Sequence, residues 1–114
     1  MANYPPDLDN LFQALAHPAR RTVVRRLSLG PASVSELAEG SDMALPSFLQ
    51  HLERLARAGV VESHKEGRVR TYRLTPMPLA AGEGWMAEQR SVWERRLGQL
   101  DDYLLQLKHE DSDP

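Results

Sequence analysis

Apolar positions along this chain follow the three- and four-residue spacing of α-helices in four short segments and in one long terminal segment. The first predicted helix begins at Asp7 and ends at the dipeptide His17-Pro18, and the second runs from Pro18 to about Leu29. The residues predicted to face the core from these two helices are Leu8, Leu11, Phe12, Leu15, Val23, Val24 and Leu27.

Two further short helices are predicted on either side of a Gly-Ser-Asp turn at residues 40–42. Ser33 and Glu36 have the spacing of a capping box, which predicts the start of the third helix. The fourth helix comes from the stretch LPSFLQHLERLAR and stops at Ala58-Gly59, because glycine is the usual residue just past a helix end. Its predicted core residues are Phe48, Leu52 and Leu55, with Leu45 and Ala56 beside them.

Two β-like runs, VVESHK and VRTYRL, follow the fourth helix and are joined by Glu66-Gly67, which predicts a β-hairpin. From about Leu79 to about Lys108 the pattern is helical again. Its apolar stripe is wider than packing against one small domain requires. We call six residues of this stripe the terminal seam: Met86, Trp93, Leu97, Leu100, Leu104 and Leu107. The width of the stripe predicts packing both on the chain's own body and on a second copy.

Composition narrows the classes of protein to consider. The chain has 114 residues, of which 41% are hydrophobic, enough for one compact core and therefore one expected domain. No run is long and apolar enough for a membrane span, and Met1 to Asn10 lacks the pattern of a signal peptide, so we expect a cytoplasmic protein. The absence of cysteine excludes disulfides, thiolate nucleophiles and sulfur-rich metal sites.

Charge is distributed unevenly along the chain, although the net charge is only -2. Residues 17–75 carry ten Arg and Lys against six Asp and Glu, giving +4, whereas residues 76–114 carry four against eight, giving -4. Residues 1–16 add -2 through two aspartates. A basic middle within an acidic chain is consistent with one surface that faces phosphates while the rest keeps the protein soluble.

Short helices with a tight turn between the third and fourth, followed by a hairpin, make a winged helix-turn-helix. We therefore predict a mainly α fold with a small β-hairpin and a long C-terminal dimerisation helix. Within one domain spanning residues 1–114, residues 7–76 form the predicted DNA-binding core and residues 79–108 the dimerisation helix. In this arrangement the fourth helix enters the major groove by its N-terminal residues, and the hairpin tip leans over an adjacent backbone.

The first turns of the fourth helix carry polar residues that are not part of its apolar core face. Pro46, Ser47 and Gln50 lie on its non-core side, where a hydroxyl and an amide can hydrogen-bond base edges or phosphates. His51 lies at the edge of the core face and is either a boundary histidine bonded to a neighbouring element or a phosphate contact. Leu49 is either ordinary packing or a contact to the methyl group of thymine.

The predicted wing tip, HKEGRVR, places three cations around a flexible turn, the pattern of a backbone or minor-groove contact, although a solvated hairpin tip has the same composition. The four arginines of the second helix are interpreted as cationic surface, with one of them at most touching phosphate. The residues predicted to contact DNA are Pro46, Ser47, Leu49, Gln50, His51, Arg54, Lys65, Arg68 and Arg70.

Three stretches together resemble the ArsR-type family of bacterial winged-helix transcriptional regulators: LFQALAHPARRTVVRRL, SVSELAEGSDMALPSFLQHLERLARAGVVESHKEGRVRTYRL and WMAEQRSVWERRLGQLDDYL. The similarity covers about residues 8–105. It implies a homodimer formed by the first and last helices that binds a palindromic operator and usually represses transcription. The implied dimer contacts are Leu8, Leu11 and the terminal seam.

The chain departs from the metal-sensing members of that family, which use cysteines in the third helix or Asp, His and Glu ligands on the dimer helix. The four histidines, at positions 17, 51, 64 and 109, are far apart in sequence and form no ligand-spaced pair. We therefore predict the non-metal branch, with no cofactor. Leu49 stands where many members carry a groove-facing serine, so the operator is not inferred from relatives.

Other functions are left open by the sequence. An enzyme has little support, because the chain has no Gly-rich phosphate loop and no interpretable Ser/His/Asp pattern. A winged helix that binds an acidic protein through Gln50 and the hairpin is a second alternative. A third is a DNA-binding regulator controlled by a small-molecule effector in the dimer interface near Trp85 and Trp93. Operator, regulated genes, effector and the sign of regulation are not predicted.

Overall fold

The computed structural model describes residues 7–111, and this part of the chain contains five helices and three strands. In chain order they are α1 (Leu8–Ala14), α2 (Pro18–Leu27), β1 (Ala32–Ser33), α3 (Val34–Glu39), α4 (Leu45–Arg57), β2 (Val61–Glu66), β3 (Val69–Leu74) and α5 (Pro76–Asp111). Helices α3 and α4 form the helix-turn-helix, and β2 and β3 form the wing. The predicted mainly α fold with a winged helix-turn-helix and a long last helix is confirmed.

Local sequence signals explain where the helices begin and end. Asp7 and His17 cap α1 and α2 through side-chain acceptors, and the capping box of Ser33 and Glu36 at the start of α3 is confirmed. Gly59, with φ of +75°, follows α4 in the left-handed region that glycine adopts at no steric cost. Each of these residues acts locally, so its role is readable from the sequence.

The core lies where helices α2, α3 and α4 meet the sheet, with α1 packed beside them. The predicted core residues of α4 are confirmed, because none of the three is more than 3% exposed. The buried residues are Leu11, Ala14, Val23, Leu27, Ala32, Leu37, Phe48, Leu52, Leu55, Val60, Val61 and Tyr72. Burial of these side chains stabilises the fold by roughly 25 cal/mol for each Å² of apolar surface removed from water.

The sheet is antiparallel with strand order β1-β3-β2. Pairing of Glu66 with Val69 leaves Gly67 and Arg68 as the two turn residues, so the turn lies one residue later than predicted. Gly67 has φ of +63°, which such a tight turn requires. Strand β1 was not predicted, because two residues are too short for any hydrophobic pattern, and it forms only by pairing Ala32 with β3.

Several predicted boundaries and faces differ from the structure. Helix α2 ends at Leu27, and α5 begins at Pro76 rather than near Leu79, since proline is compatible with the first turn of a helix. The expected core positions that are exposed instead are Phe12, Leu45 and Ala56. They lie at the margins of amphipathic faces, where periodicity alone does not separate buried from exposed positions.

The chain forms two compact units, Met1–Gly82 and Glu83–Pro114. Within the first unit, a Cβ on Gly82 would lie 2.6 Å from Cδ2 of Leu11, so glycine permits the close approach of the start of α5 to α1. No helix within residues 7–111 is long and apolar enough to cross a membrane.

Candidate nucleic-acid interface

Helix α4 buries one side and exposes the polar residues of its first turns. Phe48, Leu52 and Leu55 hold the helix on the core, whereas Ser47 and Gln50 are exposed on its other sides. The expectation that the serine and the amide are accessible is therefore met. Because core contacts fix the helix axis, these polar groups have a defined position on the surface.

The N-terminus of α4 differs from those of the three preceding helices. Its N-cap residue, Ala44, has a methyl side chain that cannot accept a hydrogen bond. Pro46 occupies the first turn of α4. Backbone N–H groups in a first turn have no partner within the helix, so a residue without an N–H is tolerated there. The remaining first-turn N–H groups and the helix dipole favour an anion at this end. Leu49 is 40% exposed beside them, so it is not simply a core residue.

One flank of α4 meets residues that α1 and α2 contribute. His51 and Arg54 follow Ser47 by four and seven residues, so the three lie on one face of the helix. The ring centroids of His17 and His51 are 4.2 Å apart. Arg54 Nη2 donates to Gln13 Oε1 across 3.2 Å. His51 thus has a neighbouring element to pack on while it remains partly exposed.

This flank is electropositive. Burial, and then the nearby His17 and Arg20, lower the pKa of His51 below its ordinary value. Burial, and then Arg54, lower the pKa of Arg20. Arg20 Nε is shielded from solvent and has no hydrogen-bond partner among residues 7–111, although the side chain as a whole is only half-buried. The shielded nitrogen is therefore a donor without an acceptor.

Two other arginines of α2 have structural roles. Arg21 Nη1 donates to the carbonyl oxygen of Leu15 across 2.8 Å. Arg26 Nη1 donates to the carbonyl oxygen of Gly30 across 3.1 Å, and its Nη2 lies 3.6 Å from Glu36 Oε2. The four arginines of α2 are therefore not a uniform cationic surface, because Arg21 and Arg26 donate hydrogen bonds to backbone carbonyls near helix ends.

The wing tip concentrates cations on one face. Lys65 and Arg70 are directly opposite in the β2–β3 register, on the face that buries Val61 and Tyr72 nearer the core. Like charges in opposed positions repel each other, and a phosphate between them removes that repulsion. Arg68 is exposed in the turn. The tip is thus suited to a polyanion.

The other face of the wing has a different charge. Glu62, His64 and Glu66 alternate along β2, and Glu62 forms an ion pair with Arg73. On the cationic face, Arg70 Nη1 instead donates to the Oγ of Ser63 across 2.8 Å, which orients the guanidinium without neutralising it. A polyanion is therefore favoured on one face of the wing only.

The residues predicted for the dimer interface differ in exposure. Leu11 is 2% exposed and lies in the chain's own core, so it offers little surface to a second copy. Leu8 is half-buried against the same core. The residues of the terminal seam are all between 38% and 62% exposed. The apolar surface available to a partner is therefore on α5.

Folding brings together two histidines that are far apart in sequence, because α2 and α4 pack side by side and place His17 next to His51. No group of three or more His, Cys, Asp or Glu that could hold a metal ion occurs in the described part of the chain. His17, Arg20 and Gln13 were not candidate site residues. The available signal was the HPARR stretch at a helix start, which does not reveal that α4 packs beside it.

Comparisons with known proteins agree with this geometry. Residues 15–64 match the family model of a helix-turn-helix domain. The chain is 42% identical over 73 residues to the HTH-type transcriptional regulator Rv2034 of Mycobacterium tuberculosis, covering 64% of this chain and 68% of that protein. It is 30% identical over 79 residues to the transcriptional repressor SdpR of Bacillus subtilis, covering 69% and 88% respectively.

A solved structure of an ArsR family transcriptional regulator, RHA00566, matches the fold with a TM-score of 0.75. Its sequence is 54% identical, and the match covers 82% of this chain and 97% of that one. At this identity and coverage the likeness extends beyond a shared architecture.

Proposed function

This chain belongs to the ArsR family of winged helix-turn-helix transcriptional regulators, and we propose on that premise that it is a homodimeric repressor of a palindromic operator. Helix α4 enters the major groove by its N-terminal turns, and the tip of the wing contacts the neighbouring backbone. The name of the relative SdpR, a transcriptional repressor, supports repression as the direction of control.

The observation that carries this proposal is the construction of α4. Its core side is fully buried, while Ser47 and Gln50 and an N-terminus without a side-chain cap are open to solvent. An exposed amide on a rigid helix can make two hydrogen bonds to an adenine edge. The first-turn N–H groups favour a phosphate at the same time. Base reading and backbone positioning are therefore combined on one element.

The dimer is supported by the terminal seam. Its six apolar side chains are half-exposed, an arrangement that is costly in water unless another surface covers them. A second copy offers the same seam, and pairing two copies about a twofold axis duplicates α4. Two symmetric recognition helices read two symmetric half-sites, which is why the proposed operator is palindromic.

The test separates base reading from backbone contact. An operator is first selected from a pool of random duplexes, and affinities are then measured by fluorescence anisotropy over a range of salt concentrations. Gln50→Ala is expected to reduce the ratio of operator to scrambled-DNA affinity, by about 1–3 kcal/mol of discrimination. Arg68→Ala is expected to weaken both affinities and make the slope of log K against log salt shallower by about 1.

Matched controls come from α5, where the proposal places no DNA. Gln89→Ala removes the same amide, and Arg90→Ala removes the same charge; neither is expected to alter the ratio or the slope. A failure to select any preferred sequence, with binding instead to an acidic protein, would contradict the proposal in favour of a protein-binding winged helix. Unchanged ratio and slope in the Gln50 and Arg68 variants would show that the assignment of helix and wing is wrong.

A further inference from the structure

The flank of α4 that packs on α1 and α2 gathers four nitrogen-rich side chains. His17 precedes α2, Arg20 lies in its first turn, and His51 and Arg54 follow each other by one turn on α4. The two imidazole centroids are 4.2 Å apart, and the arginines are close enough for Arg54 to lower the pKa of Arg20. Two separate segments of the chain, residues 17–20 and 51–54, therefore converge on one place.

The arginines of this cluster lack a carboxylate at ion-pair distance within the described part of the chain. Within residues 7–111, neither Arg20 nor Arg54 forms an ion pair, and the acceptor that Arg54 does find is the neutral amide oxygen of Gln13. Arg20 Nε is shielded without an acceptor. Because the described residues leave the charge of both arginines without a counter-ion, the cluster favours an anionic ligand that supplies oxygen atoms. A phosphate supplies several of them and also a negative charge.

The tautomer of His17 also suits an anion. Its Nδ1 accepts the N–H of Ala19 across 3.1 Å, so this nitrogen carries no proton, and Nε2 is the donor of the neutral ring. His51 can likewise donate to an anion, and more strongly once protonated. The cluster also shares one face of α4 with Ser47, which lies within the two turns proposed to enter the groove.

We propose that His17, Arg20, His51 and Arg54 bind one phosphodiester of the DNA backbone, and that His51 takes up a proton when this phosphate binds. This inference rests on the proposed function, since it assumes that α4 enters the groove of DNA. It adds His17 and Arg20, which lie outside the helix-turn-helix, to the DNA contacts. It also makes the affinity for DNA dependent on pH.

The sign of the coupling follows from the groups that face His51. Burial, and then His17 before α2 and Arg20 on α2, lower the pKa of His51 in the free protein. Arg54 adds a positive charge on α4, and Gln13 of α1 is neutral. A bound phosphate reverses this balance and raises the pKa, because a nearby negative charge stabilises the imidazolium. The complex therefore holds more protons than the free protein, so affinity for DNA increases as pH falls through the range in which histidine titrates.

The experiment measures operator affinity at fixed salt between about pH 6 and pH 8, the range in which histidine changes charge. Affinity is expected to rise by up to about tenfold per pH unit for each proton taken up. Calorimetry in two buffers with different ionisation enthalpies counts the protons directly. NMR titration of the imidazole resonances should show the pKa of His51 higher with operator than without it.

Variants then assign the protons. His51→Gln removes the group proposed to take up the proton and should abolish most of the pH dependence. His17→Asn keeps a side-chain cap on α2 and should weaken operator binding while the pH dependence remains. His109→Gln removes a histidine from α5 and should preserve the pH dependence. An operator in which single phosphates are replaced by neutral methylphosphonates should lose proton uptake at one position in each half-site.

The outcomes separate the two proposals. Operator-specific binding without proton uptake, or with uptake that the His51→Gln variant retains, overturns the phosphate site and leaves the proposed function standing. Absence of operator-specific binding at every pH overturns the proposed function, and the phosphate site with it. The calorimetric and NMR measurements on the unchanged protein decide the question even if the His51→Gln variant does not fold.

Discussion

Helices α4 and α5 both carry an apolar seam, but only the seam of α4 is covered by its own chain. Its three core residues are at most 3% exposed, whereas those of the terminal seam range from 38% to 62%. Both seams follow helical spacing, so the sequence pattern is the same in kind. The difference teaches that a helical apolar stripe identifies a packing surface without identifying what packs on it.

The two seams differ in exposure because only α4 packs on the core along its apolar side. Helix α4 packs against α2 and β2, and its apolar side is buried in the core. Only the first residues of α5, up to Gly82, belong to the unit that contains this core. The following residues continue the helix to Asp111, and their apolar side chains remain available. We have proposed a second copy as the partner of this surface.

The largest expected effect comes from placing charge in the terminal seam. Leu97→Glu combined with Leu100→Glu should give monomers, because burying unpaired carboxylates is strongly unfavourable. Loss of the second half-site contact should reduce operator affinity by about 10²–10⁴-fold. Light scattering measures the mass, and anisotropy measures the affinity. The helix itself should persist in circular dichroism, and a double variant that is still fully dimeric would refute the proposed interface.

A loss of stability is expected from the seam of α4. Leu52→Ala should lower the free energy of unfolding by about 2–5 kcal/mol, since it leaves a cavity at a fully buried position. Denaturant unfolding measures the change. The matched control is Leu49→Ala, the same substitution on the same helix at a 40% exposed position, where a change of about 0.5 kcal/mol or less is expected. Equal losses at the two positions would contradict the assignment of the faces of α4.

The smallest effect should come from a leucine of α5 that lies off the seam. Leu105 is 64% exposed and adjacent to Leu104 of the seam. Leu105→Gln should change the free energy of unfolding by no more than about 0.5 kcal/mol and leave the dimer intact. Leu104→Gln should weaken the dimer, which a dilution series in light scattering would detect. If the two variants dissociate alike, the seam has been assigned to the wrong side of α5.

Local signals in the sequence determined most of the secondary structure. The capping box at Ser33, the stop at Gly59 and the glycine turn of the wing each act through neighbouring residues, so their outcomes follow from a few positions. The core face of α4 was predictable for the same reason, because side chains at i, i+4 and i+7 share a side of any helix. Together with the order of elements, these signals determined the fold class and placed Gln50 on an exposed turn.

Only the tertiary structure decided which distant residues meet. Strand β1 exists because residues 32–33 lie beside β3, and a hydrogen-bonded pair of that length leaves no pattern in the chain. Leu11, for which the family resemblance implies a dimer contact, is buried against the chain's own core. The pairing of His17 with His51 required α2 and α4 to pack side by side. Such contacts depend on the three-dimensional path of the backbone, whereas periodicity and capping report only on neighbours along the sequence.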